Sequence, residues 1–426
     1  MDSTAFHVIA IIAILLQGLT LFLGLFGPRL RYRILSPAST PTDSKQFFEV
    51  LECVANAAMT QAKEIEVLTN GDCYYEAELE AIRKAKKTIN IEAYIFQRGE
   101  IAKRFVDTLT ERAKAGVCVK LVLDALGCFT TTESYLKPLL DAGGKVGFYH
   151  PFRWYRVPRI NNRTHREIMV IDGETGFIGG SGVADHWWKS KGKSARWRDT
   201  MFRITGEVVN GLQSVFAENW LEVSGEILNG EDYYPKVSAK GKISVMVLSS
   251  TPSVNESTRA RILYQTLLAS AQKRIYITTP YFLPDRGVRE EIIQAIRERD
   301  VEVKIIAPGK KIDHLLTRRS SRRLFGDLLK AGAKIYEYKP SMIHAKIMII
   351  DHVWSIVGST NFDSRSFVLN AESNLIVFDE SVADRLSKDF AADLANSQDI
   401  TYEKWQKRPI YEKVQEWFGW VLERQQ

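Results

Sequence analysis

The sequence predicts an α/β fold of two similar lobes. Each lobe should hold a mixed β-sheet flanked by helices, the two related by a pseudo-twofold axis. One N-terminal transmembrane helix should precede them. Three observations predict this: segments that recur in two halves, short β-rich runs that alternate with helical ones, and a long uncharged run at the start of the chain.

The repeat is explicit. INIEAYIF (89–96) resembles IYITTPYF (275–282), and VKLVLDALG (119–127) resembles VKIIAPGKK (303–311). LLDAGGKVGFY (139–149) resembles LLKAGAKIYEY (328–338). REIMVID (166–172) resembles AKIMIID (345–351), and FIGGS (177–181) resembles SIVGS (355–359). The order is the same in both halves, and the offset stays between 178 and 189 residues. Residues 75–87 and 256–273 read as equivalent helices. IMVID-GETG-FIGGS reads as a hairpin, which makes each sheet mixed. Equivalent elements meeting across a pseudo-twofold place a site between the lobes.

The 426 residues, 45% hydrophobic and 26% charged, describe a folded chain of two or three domains. The expected division is an anchor over 1–35, with its span at about 8–27, and a linker and helix over 36–62. The lobes follow over 63–235 and 236–400, then an amphipathic segment over 401–426. Residues 8–26, VIAIIAILLQGLTLFLGLF, carry no charge. At about 1.5 Å per residue they come close to crossing a hydrocarbon core of about 30 Å. RLRYR (29–33) follows, so the positive-inside rule keeps the lobes cytoplasmic. A cleaved signal peptide is the alternative; the length of the run and the absence of Lys or Arg before it weigh against one. The net charge of +7 favours anionic partners. Cys53, Cys73, Cys118 and Cys128 form no CxxC pair and read as reduced thiols.

Two strings carry the chemistry: THREIMVID (164–172) and IHAKIMIID (343–351). In an extended strand alternate side chains share a face, so His344 points with Lys346 and His165 with Glu167. Arg166 points the other way. Pseudo-symmetry brings His165 and His344 face to face. Two imidazoles across a phosphorus atom suit one as nucleophile and the other as acid and then base, with the Lys346 ammonium stabilising the non-bridging oxygens. No cofactor is needed, and no metal-ligand cluster is visible in the sequence.

HAKIMIID (344–351) with GSTNFDSRS (358–366) resembles the HxKxxxxD…GSxN signature of the phospholipase D superfamily. THREIMVID with GGSGVADHW (179–187) resembles a divergent first copy. TPYFLPD (279–285) and the N-terminal apolar run resemble bacterial cardiolipin synthases. The resemblance covers roughly residues 65–400. It implies two phospholipase D-like lobes and a phosphatidyl transfer through phosphohistidine, with phosphatidylglycerol as substrate at the bacterial inner membrane. By position it makes His165 and His344 the catalytic pair. It gives Lys346 and Asn361 the phosphate, and sets Ser181 and Ser359 behind the site. Glu372 would orient a histidine, and Asp172 and Asp351 would close the strings in a structural role. Phospholipid hydrolysis is the alternative chemistry, and an inactive lipid-binding homologue the alternative from another class. The anchor weighs against nucleic acid.

Two departures stand out. Glu167 replaces the expected lysine, and Gly182-Val183 stand where the second copy has Thr360-Asn361. A carboxylate there repels a phosphodiester and favours a charged imidazole. Three readings stay open: activity with Lys346 and a substitute cation, of which Arg198 in WRDT is one candidate; an inactive site; or pairing of Glu167 with a substrate hydroxyl. Outside the strings, YHPFRWYRVPRINNRT (149–164) interleaves Arg153, Arg156, Arg159 and Arg163 with aromatics. RRSSRR (318–323) is a second basic patch, and IYEKVQEWFGWVLERQQ (410–426) is amphipathic. Each suits either an anionic lipid surface or an ordinary packed or solvated role.

Overall fold

A computed structural model describes residues 3–26, 34–36, 40–152, 161–192, 195–236, 241–252 and 258–421. Among these residues the strands are β1 (Thr60–Thr69), β2 (Thr88–Ala93), β3 (Cys118–Asp124), β4 (Lys145–Tyr149), β5 (Ile168–Ile171), β6 (Thr175–Gly179), β7 (Thr200–Gly206), β8 (Ile243–Ser250), β9 (Arg274–Thr278), β10 (Phe282–Leu283), β11 (Glu302–Pro308), β12 (Lys334–Tyr338), β13 (Ile347–Ile350), β14 (Trp354–Gly358), β15 (Phe362–Asp363), β16 (Glu372–Phe378) and β17 (Ser397–Ile400).

The repeat is visible strand by strand. One half runs β1-β7-β6-β5-β2-β3-β4 and the other β8-β16-β14-β13-β9-β11-β12, with β17 added at its edge. In both halves the last three strands of the series are parallel and the others antiparallel. The hairpins β5–β6 and β13–β14 are the expected ones. The sequence suggested a separate sheet for each lobe, and this is corrected: β1 pairs with β8 through Thr60↔Val245, Gln61↔Ser244 and Ala62↔Ile243, which joins fifteen strands into one sheet. Each half ends in an edge strand at that point. Pairing the two edges satisfies backbone groups that would otherwise stand open.

The sheet folds so that its two halves face each other. Ile168, Val170, Ile178 and Phe202 from one half meet Ala345, Ile347, Val357 and Leu375 from the other. Helices Val208–Ser224 and Glu380–Ala395 fill the rest of this central core. Strands buried on both faces need apolar side chains of both parities, which explains why IMVI and IMII read as continuous apolar runs. Outer helices cover the far faces. Gly71–Lys84 and Glu100–Lys114 lie over the first half, and Lys45–Ala55, Arg259–Ser270 and Arg286–Arg299 over the second. Their starts are local: the Thr258 hydroxyl accepts from Arg261 N and the Asp285 carboxylate from Gly287 N.

Helix Ser3–Phe26 leaves Phe6, Ile9, Ile14, Leu15 and Leu16 exposed. Among the described residues no helix is long and apolar enough to cross a membrane. The expected span continues to residue 27, and the side chains at 21 and 23–26 lie outside the described ones. So do Arg153, Arg156 and Arg159 of the basic loop, and the side chains of Trp417, Phe418, Trp420 and Val421. Arg163 is described, and it is not a surface cation. It is buried, and its Nη2 donates to His150 O at 3.0 Å while Nη1 lies 3.5 Å from Asp124.

Candidate active site

Each string enters the site just before its strand. Thr164 forms an isolated parallel bridge with Ala371, and Arg198 forms one with Ile343. His165 N donates to Ala371 O (2.8 Å), and Ala371 N to Arg163 O (2.8 Å). Reciprocally, His344 N donates to Arg198 O (2.7 Å), and Arg198 N to Met342 O (2.9 Å). Each histidine is thus clamped by backbone of the other lobe. The residue after each clamp is an acid, Glu372 or Asp199. His165 Nδ1 lies 3.0 Å from Glu372 Oε2, and His344 Nδ1 lies 2.9 Å from Asp199 Oδ2. The pseudo-twofold therefore yields two crossed imidazole–carboxylate pairs, each spanning the lobe interface. A carboxylate on Nδ1 fixes that nitrogen as the proton-bearing one and turns Nε2 into the base.

Asp199 is the functional residue the sequence reading missed. WRDT drew attention for Arg198, yet Asp199 directly precedes β7 as Glu372 opens β16, its partner in the repeat. That register was the available signal. Arg198 itself turns away from the histidines. Its Nε and Nη2 reach Asp393 at 3.1 and 3.0 Å, and Nη1 bonds Asp199 O and Thr200 Oγ1. It positions the clamp and supplies no charge to the site, so the proposed substitute cation is corrected. Arg166 points to the other face as expected, bonding Val215 O, Glu218 and Ser249.

Lys346 lies between the lobes. Its ammonium donates to His344 O (2.8 Å) and Gly180 O (3.3 Å) and touches both ring nitrogens of His344, at 2.7 Å from Nδ1 and 3.0 Å from Nε2. Nδ1 already gives its proton to Asp199, so Nε2 is the acceptor. Burial lowers the Lys346 pKa to about 8, against the opposing pull of Asp199, Glu372 and Glu167. Burial, and then the Lys346 charge, lower His344 to about 4. Gly180 is required here, since a Cβ on it would come within 2.7 Å of Lys346 Cδ.

Ser359 lies behind the site, its hydroxyl donating to Glu372 Oε2. Ser181 is buried near Tyr74. Asn361 is buried, and its Oδ1 has no hydrogen-bond partner. Asp172 and Asp351 sit at the far ends of β5 and β13, away from the imidazoles. Asp172 accepts from the backbone N–H of Lys86, Lys87 and Thr88, and Asp351 from Gln272, Lys273 and Arg274. Both hold a helix-to-strand loop and neither touches the reacting centre. Aromatic walls, also unforeseen, complete the site. Tyr94 packs edge-on to His165 with centroids 5.1 Å apart, and Trp187 and Trp197 flank His344 at 5.1 and 5.5 Å.

Glu167 contacts neither imidazole. Its Oε1 accepts from Tyr94 N (3.1 Å) and Ile95 N (3.2 Å) at the end of β2. Burial raises its pKa well above the usual carboxyl range, against those two bonds and the Lys346 charge. Burial thus favours the protonated form, which weakens the expected repulsion of phosphate. The second lobe has Pro280 in the place of Tyr94 and lacks that N–H. The donors thus exist where the carboxyl is and are reduced where the lysine is. Gly182 fits the same arrangement, since a Cβ there would lie 2.9 Å from Glu167 Oε1 and 2.2 Å from Ile95 O.

A carboxyl with a raised folded pKa costs stability once pH exceeds its unfolded value, because the unfolded chain then releases a proton that the folded chain keeps. Glu167→Gln keeps the acceptor and removes that cost. It should unfold at higher denaturant than the parent, with a gain that grows from about pH 4 upward and vanishes below. A gain independent of pH would refute a raised pKa for this carboxyl.

The residues matched by the family model described as cardiolipin synthase, PLD-like domain, are 79–220 and 264–394, one block in each lobe. The chain belongs to the phospholipase D superfamily. Within it, the chain is 33% identical to the major cardiolipin synthase ClsA of Bacillus subtilis over 88% of this chain and 78% of that protein. It is 36% identical to a cardiolipin synthase of Oceanobacillus iheyensis over 83% of this chain and 73% of that one. A solved phosphatidylserine synthase of Haemophilus influenzae superposes with a TM-score of 0.68 at 16% identity. That match covers 89% of this chain and all of the other, and supports the fold alone. A superfamily member with these relatives is a phospholipase D-type phospholipid transferase.

Proposed function

We propose that this transferase joins two phosphatidylglycerol molecules into cardiolipin and releases glycerol. The two crossed imidazole–carboxylate pairs around Lys346 carry the reading. The curated relatives supply the lipid class. His165, whose Nε2 is not held by Lys346, attacks phosphorus. The P–N bond forms as the P–O bond to glycerol breaks, and the leaving oxygen takes a proton from His344. The anionic phosphate draws Lys346 from the His344 ring toward its oxygens. Loss of that neighbouring charge raises the His344 pKa and lets it carry the proton. The glycerol hydroxyl of a second phosphatidylglycerol then gives its proton to His344 and displaces His165. Asn361 Oδ1, unpartnered and buried, is available to a glycerol hydroxyl.

The apolar helix Ser3–Phe26 and RLRYR support a single-pass anchor in a bacterial inner membrane with the lobes on the cytoplasmic side. The test is the full chain in phosphatidylglycerol vesicles, with products followed by mass spectrometry. Cardiolipin should form, and His165→Ala or His344→Ala should each lower it by about 10⁴-fold. Acid-labile phosphorus should be trapped on His165. Phosphatidic acid as the sole product would replace transfer by hydrolysis, and phosphorus on His344 would reverse the roles.

A further inference from the structure

The RRSSRR patch takes no part in the histidine site. It lies on helix Leu315–Ala331, which packs against the C-terminal helices Tyr402–Gln406 and Ile410–Val421. Between them opens a cleft of about 590 Å³. Its walls carry Arg318, Arg319 and Arg322, with Lys310 and Lys404 also on its lining. Two lining carboxylates answer these five cations, and Asp399 beside the cleft takes Lys404 at 3.3 Å. Glu337 takes Arg318 at 2.8 Å and Arg322 at 2.6 Å. Glu412 lies 3.3 Å from Arg319 and 3.8 Å from Arg322. The cleft therefore keeps an excess of positive charge.

The arginines are also under-satisfied. Arg318 Nε and Arg322 Nε are buried without a hydrogen-bond acceptor, and Arg319 Nη1 has only the Glu412 ion pair at 3.3 Å. Two such donors and a weakly held third around one cleft call for an anion with several acceptor oxygens. The surroundings are apolar and open. Leu315, Leu316, Ile410, Tyr411 and Val414 are all exposed large side chains. A fixed anion site with an apolar rim matches a phospholipid, whose phosphate and acyl chains lie side by side.

We propose that this cleft is a second, non-catalytic site for an anionic phospholipid. The phosphate rests on Arg319 and Arg322, Lys310 and Lys404 stand at the mouth, and the acyl chains pass over Leu315 and Tyr411. The inference rests on the lipid reading of the enzyme only for its choice of headgroup.

The test is hydrogen exchange of the full chain in phosphatidylcholine nanodiscs with increasing phosphatidylglycerol. Segments 315–331 and 402–416 should exchange more slowly as phosphatidylglycerol rises. Arg319→Gln with Arg322→Gln should move the midpoint up by about tenfold or more. That pair also breaks buried bonds, so Lys310→Gln with Lys404→Gln, both exposed and giving up only the surface pair of Lys404 with Asp399, serves as the second variant and should weaken protection by roughly fivefold per lysine. No protection by phosphatidylglycerol overturns the proposal, as does an unchanged midpoint in both variants. Equal protection by inorganic phosphate in phosphatidylcholine alone would make it a free-anion site and overturn the lipid occupant. The readout needs no turnover, so protection without cardiolipin formation would strike the catalytic reading and leave this one standing.

Discussion

Lys346→Met should lower cardiolipin formation by about 10²–10³-fold and at the same time make the protein harder to unfold at pH 7. The two effects share one cause. Lys346 is the cation that the structure places against the reacting histidine, because lobe 1 offers Glu167 in the equivalent position. Removing it deprives the pentacoordinate phosphorus of its charge stabilisation. Burial, meanwhile, holds the Lys346 pKa at about 8. A lysine with a depressed folded pKa costs stability wherever the unfolded chain would hold the proton more tightly. The cost is fully present below about pH 8 and disappears above about pH 10.4. Over that range it is on the order of 3 kcal/mol. The variant should therefore gain stability at neutral pH and lose the gain in strong alkali. The His344 resonance should titrate above its present value of about 4, since the charge that opposes its protonation is gone. Retained activity, or a loss of activity with a loss of stability, would mean that Lys346 is a packing residue.

The duplicated fold was legible because its signal is redundant. Five segment pairs in register specify five of the seven equivalent strands in each half, and the alternation of His344 with Ala345 and Lys346 separated site from core. The histidines followed from the strings, and Glu372 and Ser359 from the family resemblance. Other features were hidden because they depend on where separate segments meet. Joining the halves through β1 and β8 takes three residue pairs with no distinctive sequence. Asp199 acts on the histidine 145 positions away, and only the folded clamp between Arg198 and Ile343 brings them together. Arg198 looked like a free cation in WRDT. Asp389 and Asp393, on a helix nearly two hundred residues downstream, claim it. Charge state was equally hidden. Glu167 reads as an ordinary anion from its letter, and only its burial, which outweighs two backbone donors and the Lys346 charge, raises its pKa.

Glu167→Lys restores the family pattern, and it should nonetheless fail to raise cardiolipin formation above that of the parent. Three features around this position keep a lysine from serving the site. Tyr94 N and Ile95 N point at Glu167 Oε1, and an ammonium leaves both donors without an acceptor, at about 1–3 kcal/mol each. Lys346 already lies on the side toward the histidines, so a second cation there meets repulsion. On the other side lies a small buried cavity that Glu167 shares with Glu78 and Glu92. Burial raises those two carboxyls to about 8 and about 7. One oxygen of Glu92 has no hydrogen-bond partner. An ammonium entering this cavity would be held there as an ion pair with these carboxyls, away from phosphate. The expected result is a variant with a lower unfolding midpoint and no gain in product, beside a Glu167→Gln protein that turns over like the parent. If the lysine variant instead makes several-fold more cardiolipin, Glu167 is a lesion in a two-lysine site. If it does not, lobe 1 has been rebuilt around a buried carboxyl, and one lysine serves both halves of the reaction.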